Sequence, residues 1–330
     1  MYILKWQKRW VNNMWLTCNY EVKGRKHELM DIPCQDKTAV FRDEANKVTA
    51  VALADGAGSA KIAEKGAECV VNKVLPYVNK YFDRIYNNRQ DPLIIDELVN
   101  YLHEELVRVA HTCNGRIDDL ATTMLFCVIK DSRFLAGHIG DGIIGIHCSN
   151  STALLSSPVN GEYVNETFFV SDENAALHMS IYGGEIGDID GFILLSDGSA
   201  NSLYEYKSAR FSEAVENIFV MSGIMSNESF AKMLGEAFDD IVRKRTTDDC
   251  SIALLTLPIN DLSKLPWEKQ LEIFGVTDNG RVAKKRIKKY VQVANMARSG
   301  ICCGQIGRNL HIREKYVRKY IYYFKYNGLI

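Results

Sequence analysis

The stretch LADGAGSAKIAEKGA, residues 53–67, places an aspartate between an apolar run and a glycine. The residues that lead to Asp55, 38–53, are strand-like, with a turn near 44–46. A helical pattern follows from 59 to about 86, with apolar residues at spacings of three, four and seven. A carboxylate where a buried strand meets its turn is costly unless something pairs with it. The stretch therefore marks Asp55 as a candidate functional residue.

Other aspartates along the chain also lie next to an apolar run. The small polar pair Thr122 and Thr123 of LATTMLF lies between two of these segments. The other aspartates of this kind are found in CQDK (Asp36), AGHIGDG (Asp141), FILLSDGSA (Asp197) and TTDDCSIALL (Asp248 and Asp249). A single Asp-Gly is a common hairpin turn, so each segment alone could be only a turn. Several such carboxylates on adjacent strands would form an oxygen-rich pocket suited to magnesium or manganese. The first hypothesis is a metal-dependent enzyme.

The charge of the chain is unevenly distributed. The whole sequence of 330 residues has a net charge of −1 and 47% hydrophobic residues, as in an ordinary globular protein. Residues 281–330 hold 13 Lys and Arg against one acid, Glu314, whereas the other 280 residues hold 27 basic and 40 acidic side chains. This asymmetry predicts two modules with different roles.

The order of predicted elements indicates a layered α+β fold. Two helices, several short strands, two more helices and a last strand suggest helices on both faces of a β-sandwich. Residues 258–283 are rich in Pro, Asn, Asp and Gly, so we predict domains at 1–257 and 284–330 joined by a linker. Strands are predicted at 15–22, 38–53, 121–130, 133–140, 143–148, 152–156, 167–170, 191–196 and 251–257, and helices at 59–86, after Pro92, at 210–222 and at 228–244.

The composition also indicates the cellular compartment in which the protein is expected. The nine cysteines include no C-x-x-C spacing, which favours reduced thiols. The sequence has no apolar run of about 18 residues and no signal-peptide pattern at its start. We therefore expect a cytoplasmic protein with no membrane partner.

The motif order Q-D, D-G-x-G, T-T, G-D-G, S-D-G, D-D-x-S resembles the protein phosphatase 2C family of metal-dependent serine/threonine phosphatases. The resemblance covers roughly residues 15–257, and IPCQDK followed by LADGAGSAKIAEKGA is similar to a bacterial branch. It implies a four-layer α-β-β-α sandwich with a dinuclear metal centre at one edge. It also implies hydrolysis of phosphoserine and phosphothreonine in proteins by a metal-activated water, with a cognate kinase as a possible partner.

The resemblance assigns metal-binding roles to matching positions. Asp55 matches the aspartate that bridges two Mn²⁺ or Mg²⁺ ions, and Gly56 matches the glycine whose carbonyl binds the second ion. Asp197 and Asp248 match ligands of the first ion. A slip of one residue would make Asp249 the ligand instead, but the register of the strand that begins at Ser251 favours Asp248.

Two further aspartates have less direct roles in the family. Asp36 matches a catalytic aspartate that acts near the metals, usually through water, and Asp141 matches an aspartate associated with a third, weakly held ion. Gln35 stands where many members have a glutamate that helps to bind the second ion. Because glutamine is neutral and a weaker ligand, we expect weaker binding of that ion.

The chain departs from the family at the arginine that binds the substrate phosphate. Asp31 occupies the expected position, about five residues before Asp36. The cations Arg25, Lys26 and His27 lie slightly upstream. Any of the three could replace the missing arginine, and we name Arg25 and His27 as the first candidates for phosphate binding.

The basic C-terminal segment resembles a helix-turn-helix. Its apolar spacing predicts helices at 287–298, 303–310 and 313–326, the last one as recognition helix. The exposed face of that helix would show Arg313, Lys315, Arg318 and Lys319, which suit DNA phosphates or an acidic partner. Two alternatives remain open: a solvated basic bundle, and docking on the acidic body of the same chain. A second hypothesis for the whole protein is a DNA-binding regulator whose phosphatase-like domain is a non-catalytic sensor.

Overall fold

The computed structural model describes residues 14–149, 151–158 and 167–330. Most of the N-terminal segment considered for a signal peptide, residues 1–13, lies outside this range. No helix in the described part of the chain is long and apolar enough to span a bilayer.

Two antiparallel sheets form the centre of the larger structural unit, and each has five strands within the described residues. In spatial order, the first sheet contains β1 (Leu16–Val22), β12 (Cys250–Thr256), β9 (Ile189–Leu195), β6 (Ile143–Cys148) and β7 (Ser151–Ser156). The second contains β2 (Lys37–Asp43), β3 (Val48–Ala54), β4 (Met124–Lys130), β5 (Arg133–Ile139) and β8 (Ser180–Glu185). A short hairpin is made of β10 (Tyr204–Glu205) and β11 (Arg210–Phe211).

Seven helices accompany these strands in the described sequence up to residue 237. They are α1 (Arg25–Leu29), α2 (Ala63–Asn87), α3 (Pro92–Thr112), α4 (Ala175–His178), α5 (Asp197–Leu203), α6 (Glu213–Ile224) and α7 (Asn227–Ala237). A π-turn at Phe238–Val242 and a 3-10 turn at Arg243–Arg245 continue from α7.

Alternation along β3 shows how the layers are built. Ala50 and Ala52 point to the core that α2 and α3 cover, whereas Val51 and Leu53 point to the other sheet. On the outer face of the first sheet, the ring of Phe219 in α6 lies so close to Gly191 that a Cβ there would be 2.3 Å from it. These contacts confirm the predicted four-layer α-β-β-α sandwich.

A buried histidine joins three elements of the first sheet's outer face. His147 in β6 contacts Asp190 through Nδ1 and lies 3.1 Å from a Glu216 oxygen through Nε2. Burial opposes protonation, but the hydrogen bonds and charges of the two carboxylates outweigh it and raise the pKa of His147 to about 9. The imidazole is therefore positively charged at neutral pH and ties β6 to β9 and α6.

A second unit comprises residues 220–230 and 258–330 among those described. Its helices are α8 (Trp267–Ile273), α9 (Arg281–Arg298), α10 (Cys303–Leu310) and α11 (Glu314–Tyr326). Its core includes Ile287, Ile306, Val317 and Phe324, all buried. The small apolar core predicted from helical spacing is present.

Two segments differ from the sequence prediction. The range 258–283, predicted as a linker with one possible short helix, contains the helix α8 but also buries Leu262 and Phe274 in the core of the second unit. The range predicted as a strand at 167–170 lies outside the named strands, whereas β8, with the sequence SIYGGE, was not predicted. Two adjacent glycines weaken a strand signal, which explains why pattern alone missed β8.

Candidate metal centre

Strand pairing brings two of the aspartates to one end of the second sheet. Asp36 immediately precedes β2 and Asp55 immediately follows β3, and Lys37 pairs with Ala54 in the ladder between them. The two carboxylates are therefore neighbours although 19 positions separate them in the chain.

The first sheet contributes two more aspartates by the same geometry. Asp197 follows β9, Asp248 lies two residues before β12, and Leu195 pairs with Ile252 between these strands. Asp141 lies in the short connection through which the chain passes from β5 in the second sheet to β6 in the first. The fold thus gathers all five predicted positions where the two sheets meet.

Asp36 is the most unusual of these groups. It is completely buried, and neither carboxylate oxygen has a hydrogen-bond partner among the described residues. Burial, together with the charges of Asp249 and Asp197, raises the pKa of Asp36 to about 8. The adjacent Gln35 is 3% exposed, and its Oε1 also lacks a partner in the described structure. Buried oxygens of this kind need a cation or water to offset their desolvation.

The other carboxylates feel the same electrostatic field. Burial and the charges of Asp36 and Asp197 raise the pKa of Asp55 well above its ordinary value. Burial and the charges of Asp141 and Asp248 raise the pKa of Asp197 to about 6. The raised pKa values mean that these carboxyl groups resist being ionised together unless a cation offsets their charge, and hard divalent cations are the ions that suit an all-oxygen site.

The carboxylates are near one another but do not close into a compact ligand set. No group of three His, Cys, Asp or Glu side chains in the described residues has metal-binding geometry already formed. Like charges repel, so a compact set is not expected from the protein groups alone. The buried oxygens without partners and the chemistry of the donors fit a divalent metal.

The backbone of Asp55 is held by the two threonines singled out in the sequence. Thr123 Oγ1 accepts a hydrogen bond from the Asp55 N–H at 2.9 Å. Thr122 Oγ1 donates to the Asp55 carbonyl at 2.9 Å. The residue after Asp55 must be glycine, because a Cβ at position 56 would lie 2.8 Å from the Cβ of Ala63. These contacts hold the backbone of Asp55 in place and bring the chain at Gly56 close to α2.

Asp249 has a different environment from Asp248. Its carboxylate is 2% exposed and accepts hydrogen bonds from the N–H groups of Gly24 at 2.5 Å and Gln35 at 2.6 Å. His27 Nδ1 lies 3.0 Å from it, at ion-pair distance but outside hydrogen-bonding geometry. Asp248 is exposed. Asp249 is buried and engaged by two backbone donors, whereas the exposed Asp248 accepts one hydrogen bond, from the Asp249 N–H at 3.1 Å, and is the more available carboxylate.

The two candidate phosphate-binding residues are placed differently. His27 is buried and faces Asp249, so it does not point to solvent. Arg25 is exposed, and its Nε donates to the Thr246 carbonyl at 3.1 Å. Asp31, at the expected arginine position, is exposed and has a φ of 54°. Of the two candidates, only Arg25 lies on the surface, near Asp248.

Three features of the site were not predicted from the sequence. They are the role of Asp249 as an acceptor for backbone N–H groups, the burial of His27, and the position of Tyr206 in the β10–β11 hairpin. Burial and the charges of Asp197 and Asp141 raise the pKa of Tyr206 to about 12. A turn tyrosine carries no sequence signal that would connect it to distant aspartates.

The four basic residues predicted as a binding face lie on or next to α11. Arg313, Lys315, Arg318 and Lys319 are all exposed. Arg318 is paired with Glu314 one turn earlier, with an Nε to Oε1 distance of 2.9 Å. His311, in the left-handed conformation, ends α10 just before this helix. The local geometry is therefore helix, short turn, helix.

Known proteins share this architecture. Residues 23–237 match the family model Protein phosphatase 2C. Serine/threonine-protein phosphatase 3 of Escherichia coli strain K12 is 27% identical over 162 residues, which cover 48% of this chain and 64% of that relative. The match thus spans less than two thirds of the relative's length.

Solved structures of low sequence identity show the same fold. A bacterial serine phosphatase has a TM-score of 0.53 at 13% identity, covering 73% of this chain and 97% of that one. Serine/threonine phosphatase Stp1 from Staphylococcus aureus has a TM-score of 0.53 at 13% identity, covering 74% and 95%. The catalytic domain of PstP in complex with two manganese ions has a TM-score of 0.51 at 14% identity, covering 75% and 100%.

Fold and site together define an α-β-β-α sandwich with an acidic cluster at one end. Because the family model matches well over half of its length, the chain belongs to the protein phosphatase 2C family.

Proposed function

We propose that this chain is a metal-dependent phosphatase that removes phosphate from serine and threonine residues of proteins in the cytoplasm. The observation that carries the proposal is the buried, unpartnered carboxylate of Asp36 within a cluster of family-matched aspartates. Two Mn²⁺ or Mg²⁺ ions, with a third held weakly, are the cofactors that the cluster suits. A serine/threonine kinase that phosphorylates the same substrates is the natural counterpart.

Each side chain has a role in the proposed reaction. Asp55, Asp197, Asp248 and the Gly56 carbonyl would hold the two ions, and Asp141 would contribute to the weaker third site. When bound, the ions lower the pKa of a shared water, orient it in line and screen the phosphoryl oxygens.

Groups around the ligands would support the reaction without binding the ions. The oxygens of Asp36 would accept hydrogen bonds from water, together with the nearby hydroxyls of Ser196 and Ser251, whose interaction lowers the pKa of Asp36 against the effect of burial. Thr122 and Thr123 keep Asp55 in place. Arg25 is exposed near Asp248, where a cation can meet the dianionic phosphate.

Hydrolysis of p-nitrophenyl phosphate tests the proposal directly. We expect turnover with manganese, loss of turnover with EDTA, and a loss of at least 100-fold in Asp55→Ala. A rate for wild type that equals the rate for Asp55→Ala would show that the enzymatic reading is wrong and would favour the non-catalytic sensor.

The exposed cations of α11 support a second proposal, that the C-terminal unit binds DNA. Full-length protein should then shift a duplex probe, and the shift should weaken steeply between about 50 and 200 mM salt. Arg318→Glu combined with Lys319→Glu should abolish it. No shift at low salt contradicts DNA binding and leaves an acidic protein partner as the candidate.

A further inference from the structure

The short helix α1 and the loop beside it form an exposed surface that the proposed chemistry does not use. Leu29 is 89% exposed and Met30 is 59% exposed. Lys26 and Arg245 are exposed as well. These four residues are called the α1 surface below. Adjacent apolar and cationic side chains of this kind are characteristic of a site that binds another chain.

The α1 surface is held firmly to the segment that carries Asp248. The Lys26 N–H donates to the Thr247 carbonyl at 3.0 Å, and Arg25 bonds the carbonyl of Thr246. Arg243 forms an ion pair with Glu28 on the same helix. The exposed side chains are therefore presented by a fixed backbone within a few residues of a predicted metal ligand.

The cations of the α1 surface are available for a partner. In the described part of the chain, neither Lys26 nor Arg245 lies within ion-pair distance of a carboxylate, whereas the nearby Lys244 is paired with Asp240 at 3.1 Å. The acidic neighbour Glu28 is already paired with Arg243. Asp31, next to Met30, is exposed and has no cation at ion-pair distance in the described residues, so two unpaired cations stand against one unpaired acid. The net free charge on this surface is therefore positive, although the metal site next to it is strongly acidic.

We propose that the α1 surface binds the segment of a phosphoprotein substrate that flanks the phosphorylated residue and selects acidic and apolar side chains there. This inference rests on the proposed phosphatase function. The positive charge complements acidic flanking residues, and Leu29 and Met30 offer an apolar contact for one large side chain. The enzyme thus discriminates between phosphoproteins through contacts outside the metal centre.

Two phosphothreonine peptides of equal length test the inference. One carries Glu and Leu next to the phosphothreonine, and the other carries Lys and Ser. We expect wild type with manganese to hydrolyse the acidic peptide with a kcat/KM about 3- to 10-fold higher, as exposed ion pairs allow. This preference should shrink in about 0.5 M salt, because salt screens exposed charges.

Variants separate docking from chemistry. The double variant Lys26→Glu with Arg245→Glu should lose the preference, which is the ratio of two kcat/KM values measured on the same variant and does not depend on its basal rate. Leu29→Ser should reduce kcat/KM for the acidic peptide about threefold. The control is Lys47→Glu, which matches each single substitution in charge change and lies in the turn at the far end of the β2–β3 hairpin; it should retain the preference.

The outcomes are distinguishable. Hydrolysis of p-nitrophenyl phosphate with no preference between the peptides refutes this inference alone. A preference that the Lys26 and Arg245 double variant keeps, or that the Lys47 control also loses, refutes it as well. If wild type hydrolyses none of the three substrates, the proposed function fails and the inference fails with it.

Discussion

Replacement of Asp249 should destabilise the sandwich, whereas replacement of its neighbour Asp248 should not. In Asp249→Ala, the buried N–H groups of Gly24 and Gln35 lose their acceptor, and His27 loses the carboxylate that lies 3.0 Å from its Nδ1. Each buried donor left unpaired costs about 1–3 kcal/mol. We therefore expect a loss of about 3–5 kcal/mol in the free energy of unfolding, a large share of a typical 5–15 kcal/mol.

The matched change Asp248→Ala removes an exposed carboxylate of equal size and charge. Its cost should stay below about 1 kcal/mol, because a surface side chain loses little on truncation. Urea unfolding of both variants gives the comparison. Hydrogen exchange of peptides that span residues 24–36 adds a local readout, and there only Asp249→Ala should lose protection.

Manganese titration by calorimetry completes the test. Asp248→Asn should lose affinity for the ion, and Asp249→Asn should keep most of it if the protein stays folded. The reasoning is refuted if Asp249→Ala unfolds like wild type, or if Asp249→Asn loses the metal while Asp248→Asn retains it. The second result would mean that the metal ligand is one residue further along the chain.

Two more expectations concern the more weakly bound manganese ion and the buried side chain of His147. Gln35→Glu should tighten the weaker manganese site measured by calorimetry, since a carboxylate replaces a neutral oxygen; unchanged affinity would count against Gln35 as a neighbour of the metal. The pKa of His147 is raised from 6.5 to about 9 in the fold, so its stabilising contribution is complete below about pH 6.5 and is lost as the pH rises to 9. Between pH 6 and 9.5, the free energy of unfolding measured in urea should fall by about 1–2 kcal/mol more in wild type than in His147→Gln. This value is set below what the pKa shift alone would give, because Asp190 is partly exposed and solvent screens its charge.

The sandwich could be predicted from the sequence because each layer carries a periodic signal. In β4, Met124 and Phe126 point to the helices while Leu125 and Cys127 point to the other sheet, so the strand is apolar on both faces. The order of helices and strands then restricts how the layers can stack. The segment 258–283 has turn-forming residues at its ends, and no local pattern shows that Leu262 belongs to a distant core.

The gathering of the five aspartates at one end of the sandwich was also predictable, because each ends or precedes a strand. The difference between the exposed Asp248 and the buried Asp249 was harder to predict from the sequence. Both are aspartates before the same strand, and the difference depends on Gly24 and Gln35, which lie more than 200 residues earlier.

The burial of His27 follows from the same tertiary contact. Because His27 directly follows Arg25 and Lys26, the sequence predicts that all three belong to one exposed basic surface. In the structure the five-residue helix α1 turns His27 inward to Asp249 and leaves Arg25 and Lys26 outside. One buried carboxylate therefore holds Gly24 and Gln35 beside the loop of Asp248, while Arg25 and Lys26 stay exposed. For this reason we expect substitutions of Asp249 to change peptide selectivity as well as stability.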